Sequence, residues 1–178
     1  VATGSTPSRE HPEYYDGGIP WVKTTEIHWA TITRTSETVS PSGVKAARLR
    51  IFPKGSVLIA MYGQGTTRGK SAILGIDATV NQACAVILPS NTLTTVFLAR
   101  QLQLSYTTIR ALGRGGNQPN LNLSLVQSLP IIVPDLALQQ QYTQFQMQLE
   151  CLQQHYVSNL TRYEHLFRVL QDSAFRGQ

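Results

Sequence analysis

Short apolar runs alternate with polar, glycine-rich segments over the first 134 residues of the chain. The three longest runs have the length of buried strands and lie at residues 57–62, 71–76 and 83–88. Between residues 94 and 112 the apolar positions recur every three or four residues, which predicts one amphipathic helix that ends at Gly113. A shorter run at 131–133 predicts a last strand, and the polar residues 4–20 predict a loop. Because strands and helices alternate, the predicted fold class is a mixed α/β (α+β) domain.

A different pattern begins after Pro134. Asp135 has the residue type of a helix N-cap, and neither proline nor glycine occurs again before Gly177. The apolar positions of this segment are three or four residues apart, and together they form what we call the apolar stripe: Leu138, Tyr142, Phe145, Leu149, Leu152, Tyr156, Leu160, Tyr163, Phe167 and Leu170. The pattern predicts a domain at residues 1–134 and one long helix at residues 135–178.

The predicted long helix is too long to be covered by the domain. At 1.5 Å per residue it would extend for about 60 Å, which exceeds the diameter of a domain of about 130 residues. An apolar stripe of that length needs a partner helix to cover it. The partner can be another copy of the chain, another part of the same chain or a different subunit. The alternative is that the domain simply packs one long helix.

The positive charge of the chain belongs to the predicted domain. The whole chain has a formal net charge of +5 and a pI of about 9.5. Residues 1–134 carry 12 Lys and Arg against 6 Asp and Glu, whereas residues 135–178 carry 3 against 4. A basic domain favours a polyanionic partner, either nucleic acid or an anionic membrane surface.

Several classes of protein are disfavoured by the sequence. Two cysteines, Cys84 and Cys151, are too few for a disulfide framework, and the four histidines lack the spacing of metal ligands. We therefore expect no metal and no cofactor. The chain has no run of 18 apolar residues and no signal peptide, so we expect a soluble, cytoplasmic protein without a membrane partner. It begins at Val1, apparently near the end of a strand, and we expect further residues upstream.

The glycine-rich loop, residues 63–71, resembles a phosphate-binding P-loop but departs from it twice. Gln64 stands where the first glycine is required, and the residues after Lys70 have a strand pattern, whereas a P-loop needs a helix there. Carboxylates are sparse and Lys70 is the last lysine, which disfavours a metal-dependent nuclease. An enzyme that acts on nucleotides or DNA through this loop stays open as an alternative.

Three polar clusters favour nucleic acid. Residues 66–70 place two cations and two hydroxyls in a glycine-rich segment, residues 114–118 add an arginine and two amides, and residues 21–25 add a lysine beside a tryptophan. Arginine, lysine and amide side chains are the groups that contact phosphates and base edges. Glycines that merely form turns, with amides that satisfy local backbone, are the alternative.

An ordered set of sequence blocks resembles the Type I restriction-modification specificity subunit family. The blocks are TGSTPSR at 3–9, YYDGGIPWV at 14–22, GTTRGKSAI at 65–73, NQ at 81–82, NQPNL at 117–121, LPIIVP at 129–134 and LQDSAFRG at 170–177. Each block alone is weak, but their common order covers essentially the whole chain.

This resemblance implies a non-catalytic, sequence-specific reader of double-stranded DNA. It implies a target-recognition domain at 1–134 and a spacer helix at 135–178, paired as an antiparallel coiled coil through the apolar stripe. Methyltransferase subunits that modify adenine, and restriction subunits that cleave, are the implied partners. The chain has one domain and one helix where the family has two of each, so we expect a half-subunit that forms a homodimer, or one half of a longer chain.

The residues expected to contact DNA lie in the three polar clusters and beside the glycine-rich loop: Lys23, Thr24, Tyr62, Gln64, Thr67, Arg68, Lys70, Arg114, Asn117 and Gln118. Pro119 and Leu121 are expected to hold the fold. A purely structural coiled-coil assembly protein, which binds DNA no better than its charge dictates, is the remaining alternative.

Overall fold

The structure is a computed structural model that describes residues 1–112 and 120–176. It divides into two compact units, Val1–Leu136 and Ala137–Gln178. The eight strands of the first unit are β1 (Ala2–Thr3), β2 (Tyr15–Val22), β3 (Thr31–Ile32), β4 (Thr38–Val39), β5 (Val57–Ala60), β6 (Ser71–Leu74), β7 (Thr79–Val80) and β8 (Cys84–Ile87). The helices are α1 (Pro41–Ala46), α2 (Thr95–Leu104), α3 (Tyr106–Leu112), α4 (Leu123–Gln127) and α5 (Leu136–Arg176), with short 3-10 helices at Pro12–Tyr14 and Thr24–Glu26.

Five strands form the larger sheet, in the order β1-β8-β5-β6-β3. All neighbours pair antiparallel except β3 and β6, which are parallel. Its three central strands are the apolar runs predicted from the sequence, which are thereby confirmed as strands. In β5, Val57 and Ile59 pack with α2, α3 and α4, whereas Leu58 and Ala60 pack in a second cluster on the opposite face. A strand buried on both faces has this continuous apolar sequence.

The loop predicted for residues 4–20 is partly wrong, because the end of this segment belongs to a second sheet with the order β4-β2-β7. Strand β2 begins at Tyr15, not at Ile19. Its register with β4 shifts between these two residues, since both oppose Val39. Asp16 has a φ of 57° and Gly18 a φ of 82°, so the strand is irregular at the residues that gave it the composition of a loop.

The single helix predicted for residues 94–112 is two helices, α2 and α3. Ser105 separates them with a φ of −85° and a ψ of 6°, outside the helical region. Leu98 and Leu102 of α2 and Ile109 of α3 nevertheless pack in the same buried cluster, so the apolar periodicity continues through the break. Periodicity alone therefore could not locate the break.

The strand predicted at residues 131–133 is also wrong, because this segment has no strand partner. Prolines at 130 and 134 remove two backbone donors at its ends. The backbone of Ile132 pairs instead with the side-chain amide of Gln101, which donates to the Ile132 oxygen and accepts from its nitrogen, each at 2.8 Å. An amide side chain on α2 thus takes the place of a neighbouring strand.

Helix α5 is a single helix of 41 residues that begins directly after Asp135, as the sequence predicted. Nine of the ten residues of the apolar stripe are exposed, with exposed fractions from 38% at Leu149 to 73% at Tyr156, and Tyr142 is half-buried. None of the described helices is long and apolar enough to cross a membrane. The stripe is thus available to another helix, and the predicted partner helix stays a prediction.

Candidate nucleic-acid interface

The glycine-rich loop joins β5 to β6 and has a defined shape. Gly63, Gly65 and Gly69 have φ values of 146°, 59° and 84°, which residues with a β-carbon rarely adopt. The Gly69 nitrogen donates to the Ala60 oxygen at 2.8 Å and closes the base of the loop. The loop ends in the first residue of β6, Ser71, and no helix begins there. The prediction that a strand and not a helix follows Lys70 is confirmed, and the loop therefore departs from the geometry of a P-loop.

Five of the predicted DNA-contact residues lie together at this loop: Tyr62, Gln64, Thr67, Arg68 and Lys70. Gln64 is exposed, as is 40% of Tyr62, while Thr67 and Lys70 are half-buried. An exposed amide offers two donors and an acceptor, and a lysine offers three donors. The loop therefore presents hydrogen-bonding groups that suit base edges and phosphates.

Arg68 differs from its neighbours because it is only 9% exposed. Its Nε is buried and has no hydrogen-bond partner among the described residues. A buried donor on a cationic group costs free energy while it is unpaired, and a ligand oxygen that accepts from it offsets this cost. The predicted contact of Arg68 with DNA stays a prediction, because a buried Nε is shielded from a ligand as well as from water.

Two residues of α3 hold the loop, and sequence reasoning missed both. Tyr106 Oη donates to the Thr66 oxygen at 2.6 Å, and Arg110 Nη1 donates to the Gly65 oxygen at 2.9 Å. Tyr106 was assigned to the apolar face of the predicted helix, and Arg110 lay outside the three polar clusters. Their spacing of four residues, which places both side chains on one helix face, was the available signal.

Lys23 and Thr24 lie in a separate cluster at the end of β2. Lys23 Nζ forms an ion pair with Glu37, and Arg9 Nη2 donates to the same carboxylate at 2.7 Å. The Arg9 guanidinium also lies over the Tyr15 ring, 4.2 Å from its centroid. Hydrogen bonds from Lys23 and Arg9 hold the pKa of Glu37 below its ordinary value. In this cluster Lys23 stabilises the fold, and its predicted contact with DNA stays a prediction.

We expect Glu37→Gln to lower the free energy of unfolding by about 0.5–1 kcal/mol at neutral pH, since the partly solvent-screened ion pairs are lost. The folded-state pKa of Glu37 lies below 4.5, so its stabilisation is fully present above pH 4.5 and is lost as pH falls through the lowered value. The difference in stability between wild type and variant should therefore shrink below pH 4.5 in a urea-unfolding series. Glu10→Gln, an exposed control, should show little difference; a pH-independent difference for Glu37→Gln would contradict the assignment.

The remaining predicted contacts, Arg114, Asn117 and Gln118, lie outside the described residues. The described residues on either side of them contact the glycine-rich loop or Met61, which lies two residues before it. Arg110 binds Gly65, and the Leu121 nitrogen donates to the Met61 oxygen at 3.1 Å. Leu121 is buried in the core, in keeping with its predicted role in the fold.

Several blocks that carry the family resemblance hold the fold. A β-carbon on Gly4 would lie 1.7 Å from the Val80 oxygen, so only glycine fits there. Trp21 Nε1 donates to the Ser5 oxygen at 3.2 Å, joining the first block to the second. Asn81 Oδ1 accepts from the Ala83 nitrogen at 3.1 Å and shapes the turn before β8. Packing and turn geometry therefore account for the presence of these residues in the blocks.

The described parts of the chain contain no metal site, and one of the two thiols is buried. Across residues 1–112 and 120–176, no three His, Cys, Asp or Glu side chains lie close enough together to hold a metal ion. Cys84 is buried and its pKa is raised, chiefly by desolvation. A thiol with a raised pKa stays protonated and is a poor nucleophile.

Curated relatives of this chain are specificity subunits. The MjaIX Type I restriction enzyme specificity subunit of Methanocaldococcus jannaschii is 30% identical over 148 residues, which is 79% of this chain and 33% of the relative. The HindI specificity subunit of Haemophilus influenzae is 26% identical over 138 residues, or 75% of this chain and 29% of the relative. The chain thus spans about a third of the length of these relatives.

Two solved structures and a family model also match this chain. One solved structure concerns complex assembly and conformational transition of the type I R-M system. The alignment with it covers 99% of this chain and 43% of that chain, with a TM-score of 0.73 and 18% sequence identity. The HsdS subunit from Thermoanaerobacter tengcongensis matches 85% of this chain and 36% of its own length with a TM-score of 0.63 and 17% identity. Residues 1–155 match the Type I restriction modification DNA specificity domain, which confirms the resemblance predicted from the ordered blocks. The chain therefore belongs to the Type I restriction modification DNA specificity domain family.

Proposed function

We propose that this chain reads DNA sequence for a Type I restriction-modification system and has no catalytic chemistry of its own. The observation that carries the proposal is the glycine-rich loop, whose backbone has a defined shape and which carries an exposed amide at Gln64 and a half-buried cation at Lys70. The loop lies in the part of the chain that holds all of the net positive charge. A basic surface with side chains in fixed positions favours sequence-specific binding over binding by charge alone.

The side chains of the loop suit different groups on DNA. The exposed Gln64 amide can donate to and accept from the major-groove edge of adenine. Arg68 and Lys70 suit the acceptors of guanine or phosphate oxygens. Arg114, Asn117 and Gln118 join this surface in the proposal, because the described residues Arg110 and Leu121 contact Gly65 of the loop and Met61 near its start.

Helix α5 pairs with a second helix through the apolar stripe in this proposal, and the simplest partner is a second copy in antiparallel orientation. At 100° per residue, glutamines flank the stripe on both sides, at Gln141 and Gln148 and at Gln146 and Gln153. Glu164 flanks the stripe in its C-terminal half, and in an antiparallel pair it lies opposite the neutral positions of the N-terminal half, so these flanking residues place no like charges together. A two-fold dimer would carry two identical domains and read an interrupted palindrome.

The partner subunits follow from the family. We propose that methyltransferase subunits dock on the paired helices and modify adenine in the recognised sequence, and that restriction subunits join them to cleave unmodified DNA. The relatives are named as specificity subunits of Type I restriction enzymes and are about three times as long as this chain. This chain would thus supply one recognition domain and one spacer helix to such an assembly.

Light scattering followed by selection from a random duplex library, at near-physiological salt, tests the proposal. The dimer is expected to enrich an interrupted palindrome. A monomer that enriches one short half-site would retain the reader and contradict the homodimer. A dimer that enriches no sequence would overturn DNA reading and favour a structural coiled-coil protein.

A further inference from the structure

We propose that Tyr106 and Arg110 act as a clamp that fixes the shape of the glycine-rich loop and thereby determines its sequence specificity. Neither residue reads DNA in this inference. They are positioning residues that act through the backbone of the loop. The inference has two parts. The first, that the clamp fixes the shape of the loop, concerns the protein without DNA. The second, that this shape determines specificity, rests on the proposed function.

The clamp binds the two loop residues next to Gln64 and Thr67. Tyr106 Oη donates to the Thr66 oxygen at 2.6 Å, and Arg110 Nη1 donates to the Gly65 oxygen at 2.9 Å. The two clamp residues also bind each other, because Arg110 Nη1 donates to Tyr106 Oη at 2.8 Å. Carbonyl groups at the tip of a loop ordinarily bind water, so fixed side-chain donors at consecutive carbonyls restrict its conformation.

The clamp is itself held in place. Trp29 packs edge-on against the Tyr106 ring with centroids 5.1 Å apart, and the Trp29 nitrogen donates to the oxygen of Ser71, the last residue of the loop. Gly69 lets α3 approach, since a β-carbon there would lie 3.1 Å from the Arg110 Cγ. Tyr106 and Arg110 are therefore fixed relative to both β6 and the loop.

A clamp of this kind affects specificity more than affinity for DNA in general. Hydrogen bonds to base edges need donors and acceptors at fixed positions, whereas attraction to phosphates tolerates a mobile loop. Ordering the loop before binding also removes an entropy cost that would otherwise oppose the specific complex. Loosening the clamp should therefore weaken binding to the selected sequence while leaving binding to random duplex nearly unchanged.

Tyr106→Phe tests the clamp because it keeps the ring contact with Trp29 and removes only the hydroxyl. In the protein without DNA, the amides of Thr67 and Gly69 should exchange with solvent about 2- to 10-fold faster, as expected for the loss of one or two hydrogen bonds. Tyr14→Phe is the matched control and should leave these amides unchanged. Unchanged exchange at the loop in Tyr106→Phe would overturn the clamp, whatever happens with DNA.

Binding to the selected and the random duplex tests the second part. Tyr106→Phe and Arg110→Met should each lower the affinity for the selected duplex about 2- to 10-fold without a matching loss for random duplex. Because the two residues share a hydrogen bond, the double variant should lose less than the product of the two single losses. Arg110→Lys keeps one donor and the charge, and should recover part of the loss.

The outcomes separate this inference from the proposed function. Faster loop exchange together with unchanged discrimination between the two duplexes would overturn the role in specificity. Faster loop exchange in a protein whose wild type selects no sequence would support the clamp and reject the proposed function. Equal losses on selected and random duplex would indicate that Arg110 or Tyr106 contacts phosphate directly, and would overturn their assignment as positioning residues.

Discussion

Replacing Leu149 and Leu160 together by glutamate is expected to convert the proposed dimer to a monomer. Both residues lie in the apolar stripe of α5, and 38% and 59% of them are exposed in the single chain. In an antiparallel register that overlaps the whole stripe, positions 149 and 160 of the two copies come together. Each leucine contributes about 1.5–3 kcal/mol when fully buried, and a carboxylate buried at the same place is strongly unfavourable.

The expected effect is therefore large. Four leucines are lost per dimer, so the dissociation constant should rise by at least about 10⁴-fold, measured by light scattering across a concentration series. Met147→Glu with Val169→Glu is the matched control, since both residues are exposed and lie on the other side of the same helix. The control should stay dimeric. A wild type that is monomeric at micromolar concentration would contradict self-pairing, and an unchanged mass in the Leu149 and Leu160 variant would exclude the stripe as the interface.

Arg68→Ala is expected to lower the affinity for the selected duplex by about 1–3 kcal/mol if Arg68 reads a base. The reason is that a guanidinium donates to guanine acceptors and to phosphate oxygens. Titration of selected and random duplexes over a salt series separates two modes of contact. A base contact affects only the selected duplex, whereas a phosphate contact weakens both and lowers the salt slope by about one. The same comparison applies to Arg114→Ala.

Controls are needed because Arg68 is buried. Arg68→Met keeps most of the volume and removes the charge, so it separates a loss of packing from a loss of contact. Lys45→Ala removes the same charge from an exposed position on α1 and should leave discrimination between the duplexes unchanged. Thermal unfolding verifies that each variant folds. If neither the affinity for the selected duplex nor the salt slope changes in folded Arg68→Ala, Arg68 is not part of the interface.

The central strands and α5 were predictable because burial dictates their sequences. A strand covered on both faces, such as β5, needs an unbroken apolar run, and a helix that presents one apolar face needs a repeat of three and four residues. These constraints act on neighbouring residues, so a single sequence shows them. The glycine-rich loop was also identifiable, because its positive φ angles require glycine at several positions.

The features that were missed depend on contacts between distant parts of the chain. Strand β2 has a loop-like composition because its register shifts opposite Val39, a residue of another strand. The backbone of Ile132 is satisfied by Gln101, which lies 31 residues earlier. Tyr106 binds a loop about 40 residues before it, but its sequence position indicated only that it lies on one face of a helix. Such pairings leave no local pattern in the sequence.

The same distinction separates residues in the blocks of the family resemblance from the exposed residues predicted to contact DNA. Gly4 and Asn81 are explained by close packing and by a turn, without reference to DNA. Gln64 and Tyr62, which lie outside the blocks, are exposed in or beside the loop that Tyr106 contacts. Exposed side chains on a rigid support are the positions that can vary between readers of different sequences while the fold is kept.

The central claim is that the glycine-rich loop reads bases. Its most direct test selects sequences from one random duplex library in parallel, with the wild type and with a Gln64→Ala, Arg68→Lys double variant. Sequencing the bound fractions at near-physiological salt gives the preference at every base position. We expect the wild type to enrich a defined sequence, and the variant to lose preference at one or two neighbouring positions of each half-site while it keeps the others. Recovery of the same sequence with undiminished preference at every position would contradict the account.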